Sequence, residues 1–141
     1  MNNNIVDKAF EIAIQAHAGQ KDLAAVPYME HLKFVSSFFE LEEEKAIVLL
    51  HDVLEDTDIT EFDLLRIGIS KEIINVIKLL THKKGKPYMD YIKRIKRNRL
   101  ACKIKIVDIQ HNMDLSRIPN PTKKDYARID KYKKALAFLE S

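Results

Sequence analysis

The 141 residues are 46% hydrophobic and 32% charged, which is typical of a soluble globular domain large enough to bury a real core. No apolar run approaches the roughly 18 residues of a membrane span, and the polar start does not predict a signal peptide. The net charge is only +3, and the single cysteine, Cys102, excludes an internal disulfide framework and predicts a cytoplasmic location.

Apolar residues recur with helical spacing along the whole chain, and no segment alternates with the period of a strand. This pattern predicts an all-α fold of about seven or eight helices in one domain, residues 1–141. Predicted N-caps begin four of the helices: Thr60, Ser70, Asn98 and Thr122. In chain order, the predicted helices are about Ile5–Ala18, Tyr28–Phe39, Glu42–Leu54, a short helix to Ile67, Lys71–Leu80, Pro87–Lys96, a helix after Asn98, and a last helix to about Leu139.

Charge is unevenly distributed along the chain. Ten acidic residues and one basic residue lie between Glu40 and Asp63, whereas ten basic residues and one acidic residue lie between Lys83 and Lys105. The first segment can hold a cation and the second can attract a polyanion, although either can be a solvated helix face. The basic segment lacks regular aromatic interleaving and any recognised nucleic-acid motif, so we do not expect a nucleic-acid partner.

The most informative segment is Leu49–Asp56, where an apolar run ends in a His-Asp pair that is followed one turn later by a Glu-Asp pair. On a continuous helix, His51 and Glu55 share a face, and so do Asp52 and Asp56. Like charges at this spacing destabilise a bare helix, and ionised groups beside buried apolar residues are costly unless they are paired or bound to metal. A divalent cation would resolve both problems.

Two further residues extend this cluster. His31 lies in a mostly apolar predicted helix, and Asp108 ends the apolar run Ile104–Val107. Taken singly, the histidine is typical of a core residue and the aspartate of a helix surface. Together with His51 and Asp52 they form a mixed nitrogen and oxygen set that suits Mn²⁺, Fe²⁺ or Zn²⁺ better than Ca²⁺.

Ordered motifs cover nearly the whole chain: His17-Ala18-Gly19-Gln20, Pro27-Tyr28-Met29-Glu30-His31, Leu50-His51-Asp52-Val53-Leu54-Glu55-Asp56-Thr57, Leu80-Thr81, Ile104-Lys105-Ile106-Val107-Asp108 and His111-Asn112-Met113. The order His, His-Asp, Asp is similar to that of the HD-domain metal-dependent phosphohydrolases. The fuller set resembles the hydrolase domain of RelA/SpoT-type alarmone hydrolases, including small single-domain versions.

The resemblance implies a helical HD-domain bundle that binds a small-molecule nucleotide. It implies hydrolysis of guanosine tetra- or pentaphosphate to GDP or GTP and pyrophosphate, with Mn²⁺ as the usual ion. With no synthetase region in the sequence, we expect degradation of the alarmone only. The implied roles are metal ligation by His31, His51, Asp52 and Asp108, water activation by Glu55 and Asp56, and a nucleotide-pocket position for Asn112. Four lysines could offset the substrate charge: Lys21, Lys83, Lys103 and Lys105. Of these, Lys21 and Lys105 are the candidates for substrate binding.

Two positions depart from the family pattern. The loop Gln20–Val26 carries Asp22 where the family usually has a basic residue, and it lacks the family's Ser-Gly step; Ile109 stands where the family often has arginine. Both positions bear on guanine recognition. The alternatives are therefore an HD phosphohydrolase of another nucleotide or phosphorylated metabolite, and a catalytically idle module that binds nucleotide or RNA.

Overall fold

The computed structural model describes residues 4–22 and 25–141, and this part of the chain is all-α, as predicted. Leu23 and Ala24 of the predicted loop, and Met1–Asn3, lie outside the described residues. A single 3₁₀ turn, Leu115–Arg117, precedes the last helix. The helices are α1 (Ile5–Ala16), α2 (Tyr28–Ser36), α3 (Glu42–Leu50), α4 (Val53–Asp56), α5 (Glu61–Ile67), α6 (Lys71–Leu79), α7 (Tyr88–Lys96), α8 (Arg99–Asn112) and α9 (Lys123–Glu140).

The predicted helix Glu42–Leu54 is wrong in one respect, because it is interrupted at His51 and Asp52. In an unbroken helix the carbonyl of Val48 would accept the N–H of Asp52. That carbonyl instead lies 3.4 Å from the backbone nitrogen of His51 and 2.5 Å from its Nδ1. The break separates α3 from the single turn α4, and it leaves His51 buried while Glu55 is exposed.

Helix α3 is the centre of the core. Its last five residues, Ala46–Leu50, are all buried, and it packs against α1, α2 and α6. A helical segment that is apolar on all sides, as these five residues are, is expected to be buried. The carboxyl end of α3 therefore delivers His51 to the interior.

Helix α8 completes the frame around this end of α3. It packs against α2, α6, α7 and α9. Asp108 in α8 is consequently brought opposite His31 in α2 and the end of α3. Within the described ranges, no helix has the combined length and apolarity that a bilayer crossing requires.

The predicted capping boxes at Thr60 and Thr122 are both present. At α5, the Thr60 hydroxyl accepts the Asp63 N–H at 3.2 Å, and the Asp63 carboxylate accepts the Thr60 N–H at 2.9 Å. The bond from the Thr60 backbone holds the pKa of Asp63 below its ordinary value. Local hydrogen bonding therefore begins this helix, independently of the distant core.

We expect the free energy of unfolding of the Asp63→Asn variant to depend less on pH in the acidic range than that of the wild type. Because the folded-state pKa of Asp63 is lowered, its charged form stabilises the protein above the ordinary pKa of 3.8. That contribution is lost as the pH falls through the folded-state value. Urea unfolding of both proteins across a range of acidic pH measures the difference, and parallel curves would contradict the expectation.

Candidate active site

Three buried side chains from three helices converge at the end of α3. The imidazoles of His31 and His51 and the carboxylate of Asp108 each present one ligand atom, and these atoms lie within 4.8 Å of one another. His31 is in the first turns of α2, His51 follows α3, and Asp108 is in α8. Residues that are 77 positions apart in sequence thus form one mixed nitrogen and oxygen cluster.

The Nε2 atom of His51 lacks a partner that can donate a proton. Its Nδ1 lies 2.5 Å from the Val48 carbonyl, and because a carbonyl only accepts, Nδ1 must carry the ring proton. Nε2 is buried without a hydrogen bond among the described residues, 3.1 Å from Asp52 Oδ2 and 3.4 Å from Asp108 Oδ1. Three acceptors facing one another require a cation or an additional proton between them. This orphaned nitrogen fits a divalent metal ion.

His31 is oriented from both sides of its ring. Its Nε2 lies 2.7 Å from Asp108 Oδ1, and its Nδ1 lies 2.6 Å from Nδ1 of His111, whose ring stacks on it. Burial, aided by the nearby His31, lowers the pKa of His111 to about 4, so His111 is neutral at neutral pH and its Nδ1 can accept a hydrogen bond from the His31 Nδ1–H. Sequence reasoning missed this role; the signal was the helical spacing of His111 from Asp108.

Asp52 lies beside the cluster. The Tyr28 hydroxyl donates to Oδ2 of Asp52, the same oxygen that faces His51. Burial, with the charge of Asp108 added, raises the pKa of Asp52 well above its ordinary value. A cation at the cluster would reverse this effect by favouring the charged carboxylate.

Lys105 pairs with the side of Asp108 that faces away from the histidines. Its Nζ is 3.1 Å from Oδ2 of Asp108. Burial acts to raise the pKa of Asp108 and to lower that of Lys105. At Asp108, the attraction of Lys105 together with the contacts of His31 and His51 outweighs burial, so the pKa of Asp108 is well below its ordinary value. At Lys105, the attraction of Asp108 together with the neighbouring tyrosines and Asp52 outweighs burial, so the pKa of Lys105 is well above its ordinary value. Lys105 thus helps to keep Asp108 ionised, and its Nζ lies beside the cluster.

Glu55 and Asp56, four residues after His51 and Asp52, are exposed and line a cleft of about 610 Å³. Glu55 Oε1 accepts the backbone N–H of His82 at 2.7 Å. Burial raises the pKa of Asp56 above its ordinary value. His82 is half-buried in the loop before α7, and its ring stacks on Tyr91 of α7.

The remaining predicted residues occupy different places. Lys21 is exposed and lines a second cleft of about 330 Å³, together with His17, Gln20 and Tyr28. Asn112 is half-buried one turn beyond Asp108, on the same face of α8. Two lysines differ in their surroundings: Lys83 lines the larger cleft with Glu55, whereas Lys103 lies 3.9 Å from Glu44.

The chain is similar to several known proteins. No family model matches the chain. A guanosine-3′,5′-bis(diphosphate) 3′-pyrophosphohydrolase of Borreliella burgdorferi is 40% identical over 78 residues, which cover 52% of this chain and 12% of that protein. A probable enzyme of the same name from Mycoplasma genitalium is 36% identical over 81 residues, covering 55% of this chain and 11% of that protein. A probable GTP pyrophosphokinase of Mycobacterium leprae is 31% identical over 136 residues, covering 86% of this chain and 17% of that protein.

The structure of a metazoan ortholog of SpoT that hydrolyses ppGpp superposes with a TM-score of 0.75 at 20% identity, covering 99% of this chain and 86% of that one. The chain is similar to the two pyrophosphohydrolases over about half of its length, and it shares the fold of the SpoT ortholog. The predicted HD-domain fold is confirmed. The chain spans less than a fifth of the length of the curated relatives that it matches.

Both departures from the RelA/SpoT-type pattern have structural consequences. Asp22 forms an ion pair with Arg117 and accepts the Val26 N–H at 3.2 Å, so it closes its own loop. Arg117 also donates to the His111 carbonyl at 2.9 Å, which ties this loop to the end of α8. Ile109 is fully buried in the core. A basic group is therefore absent from both of these positions.

Ala25 has a φ of 63° in the same loop, where the RelA/SpoT-type pattern has its Ser-Gly step. A left-handed conformation costs an L-residue about 1–2 kcal/mol, whereas glycine adopts it freely but loses more entropy on folding. We expect Ala25→Gly to raise the free energy of unfolding by about 0.5–1 kcal/mol. Urea unfolding measures this change, and a destabilised variant would show that the strain is compensated in the folded loop.

Proposed function

We propose that this chain is a metal-dependent phosphohydrolase that removes the 3′-pyrophosphate from guanosine tetra- or pentaphosphate. The observation that carries the proposal is the orphaned Nε2 of His51, which faces two carboxylates beside a cleft lined by Glu55 and Asp56. The relatives named as pyrophosphohydrolases support the substrate class. The single cysteine, Cys102, supports a cytoplasmic location.

His31, His51 and Asp108 would hold the metal, with Asp52 as the adjacent fourth ligand. Nitrogen and oxygen donors in this combination suit Mn²⁺, with Fe²⁺ or Zn²⁺ as alternatives. When bound there, a divalent cation supplies a Lewis acid for phosphoryl oxygens and makes water more acidic. His111 would keep the His31 ring in the ligating orientation.

Glu55 and Asp56 would activate the attacking water. The His82 N–H holds Glu55 in one orientation at the cleft wall, so its carboxylate is positioned to accept the proton of water. The water oxygen bonds to the phosphorus next to the ribose, the bond from that phosphorus to the 3′-oxygen breaks, and the 3′-oxygen gains a proton. Pyrophosphate and GDP or GTP are then released.

The phosphate charge of the substrate needs cations around the cleft. Lys83 lies in the same cleft as Glu55, and Lys21 lines the neighbouring one. Lys105 is held at Asp108 by their ion pair. We propose these three lysines, with Asn112 nearby, as substrate-binding residues.

The second candidate function is hydrolysis of another nucleotide or phosphorylated metabolite. The observation that favours it is the Asp22–Arg117 ion pair, which puts a neutralised acid at the position where the family usually carries a free basic residue. This difference concerns recognition of the base and leaves the reaction at phosphorus unchanged.

A panel of nucleotides and phosphorylated metabolites tests both candidates. We expect pyrophosphate release from guanosine tetraphosphate in the presence of Mn²⁺, and none after treatment with a chelator. Turnover of a different nucleotide alone would replace the first candidate with the second. If the chain binds the cation but turns over no compound of the panel, the proposed hydrolase activity is refuted.

A further inference from the structure

A basic groove of about 500 Å³ lies on α7 and the loop before it. Its lining consists of charged side chains: Lys83, Lys86, Asp90, Lys93, Arg94 and Arg97. Five cations and one acid give the groove a formal charge of +4. Lys83 lines both this basic groove and the cleft of Glu55, so the two depressions are neighbours.

The cations of the basic groove are not neutralised within the described part of the chain. None of the five forms an ion pair with a described acid, in contrast to Lys78 with Glu61 and Lys103 with Glu44. The opposite face of α7 is occupied by the core, because Tyr91, Ile92 and Ile95 are buried. The concentrated positive charge therefore remains available to an external anion.

The basic groove is held in shape by specific contacts. His82 Nε2 lies 2.8 Å from the Lys86 carbonyl, and the Lys86 N–H donates to the Lys83 carbonyl at 3.2 Å. Gly85 supplies the left-handed turn with a φ of 79°. On α7 and at its C-cap, residues 93, 94 and 97 follow the one-turn spacing that places them on one side of the helix. The loop and the helix thus present their cations together.

We propose that the basic groove binds a free chain of linked phosphate groups, namely inorganic polyphosphate. Repeated ammonium and guanidinium groups recognise repeated phosphates. No aromatic side chain is among the residues described as lining the groove, so nucleic-acid bases would find no stacking surface there. This inference does not depend on the proposed hydrolysis.

The test is calorimetric titration of the whole chain with medium-chain inorganic polyphosphate, with chelator present so that a cation at the histidine cluster cannot contribute. We compare Arg94→Glu/Arg97→Glu with the matched variant Lys123→Glu/Lys124→Glu, which makes the same charge change at exposed positions at the start of α9. We expect the first variant to lose at least about tenfold in affinity and the second less than about twofold.

Several outcomes would overturn the proposal. Equal weakening in both variants would show a general charge effect without a site. Tighter binding of single-stranded RNA than of polyphosphate at matched phosphate concentration would assign the groove to nucleic acid, and equal binding of polyglutamate would remove the phosphate selectivity. Arg94→Gln/Arg97→Gln repeats the comparison if charge reversal unfolds the chain, and hydrolysis by either variant is expected to stay at the wild-type rate.

Discussion

Replacing His51 with alanine is expected to abolish metal-dependent hydrolysis and to weaken the binding of Mn²⁺ by at least about 100-fold. The variant removes the Nε2 atom, which faces the carboxylates of Asp52 and Asp108 and has no hydrogen-bond partner among the described residues. An ion that binds only the folded state stabilises it by about 2.7 kcal/mol at 100 times its Kd. Mn²⁺ should therefore raise the melting temperature of the wild type but not of the variant, and calorimetry measures the affinity directly.

His17→Ala is the matched control, because His17 is another buried imidazole whose Nδ1 contacts Gln20 and which lies outside the three-residue cluster. This control should keep its affinity for Mn²⁺. If His51→Ala binds the cation with the affinity of the wild type, the cluster is held together by a proton on His51 and is not a metal site. Loss of binding in both variants would indicate a general loss of packing.

Replacing Glu55 with glutamine is expected to lower kcat by about 10²- to 10⁴-fold, the usual contribution of a general base. The amide keeps the size of the side chain and can still accept the His82 N–H through its oxygen. Because Glu55 lies outside the three-residue cluster, the affinity for Mn²⁺ and KM should change little. Steady-state kinetics with pyrophosphate detection measures kcat and KM separately.

Asp58→Asn is the control for this variant, since Asp58 is an exposed acid three residues further along that does not line the cleft. It should retain the wild-type kcat. If Glu55→Gln also retains it while Asp56→Asn does not, the proton acceptor is Asp56. Equal losses in Glu55→Gln and Asp58→Asn would point to the overall charge of this segment.

The helices that were predicted correctly begin with local chemistry. Proline precedes Tyr28 and Tyr88, and side-chain caps begin α5, α6, α8 and α9. Each of these signals acts over three or four residues, so it is visible without knowledge of the fold. The interruption after Leu50 was not visible, because the His51 side chain takes the Val48 carbonyl only where that ring is enclosed by α2 and α8.

The contacts that define the surroundings of the site were equally hidden from sequence reasoning. The His82 N–H meets Glu55 across 27 residues, and Arg117 meets Asp22 across 95. His31 and His111, separated by 80 residues, share one contact between their rings. Such pairs depend on how helices pack, and residue type alone does not specify which of several acids or bases become neighbours.

The amino-acid sequence by itself determined the helical class, the helix starts and the kinds of ligand atom available, because periodicity, capping and side-chain chemistry are local properties. Only the tertiary structure decided that His31, His51 and Asp108 lie within 4.8 Å of one another while Asp22 closes its own loop against Arg117. The physical reason is that these distances follow from the packing of α2, α3 and α8, which is fixed by burial of apolar surface over the whole chain.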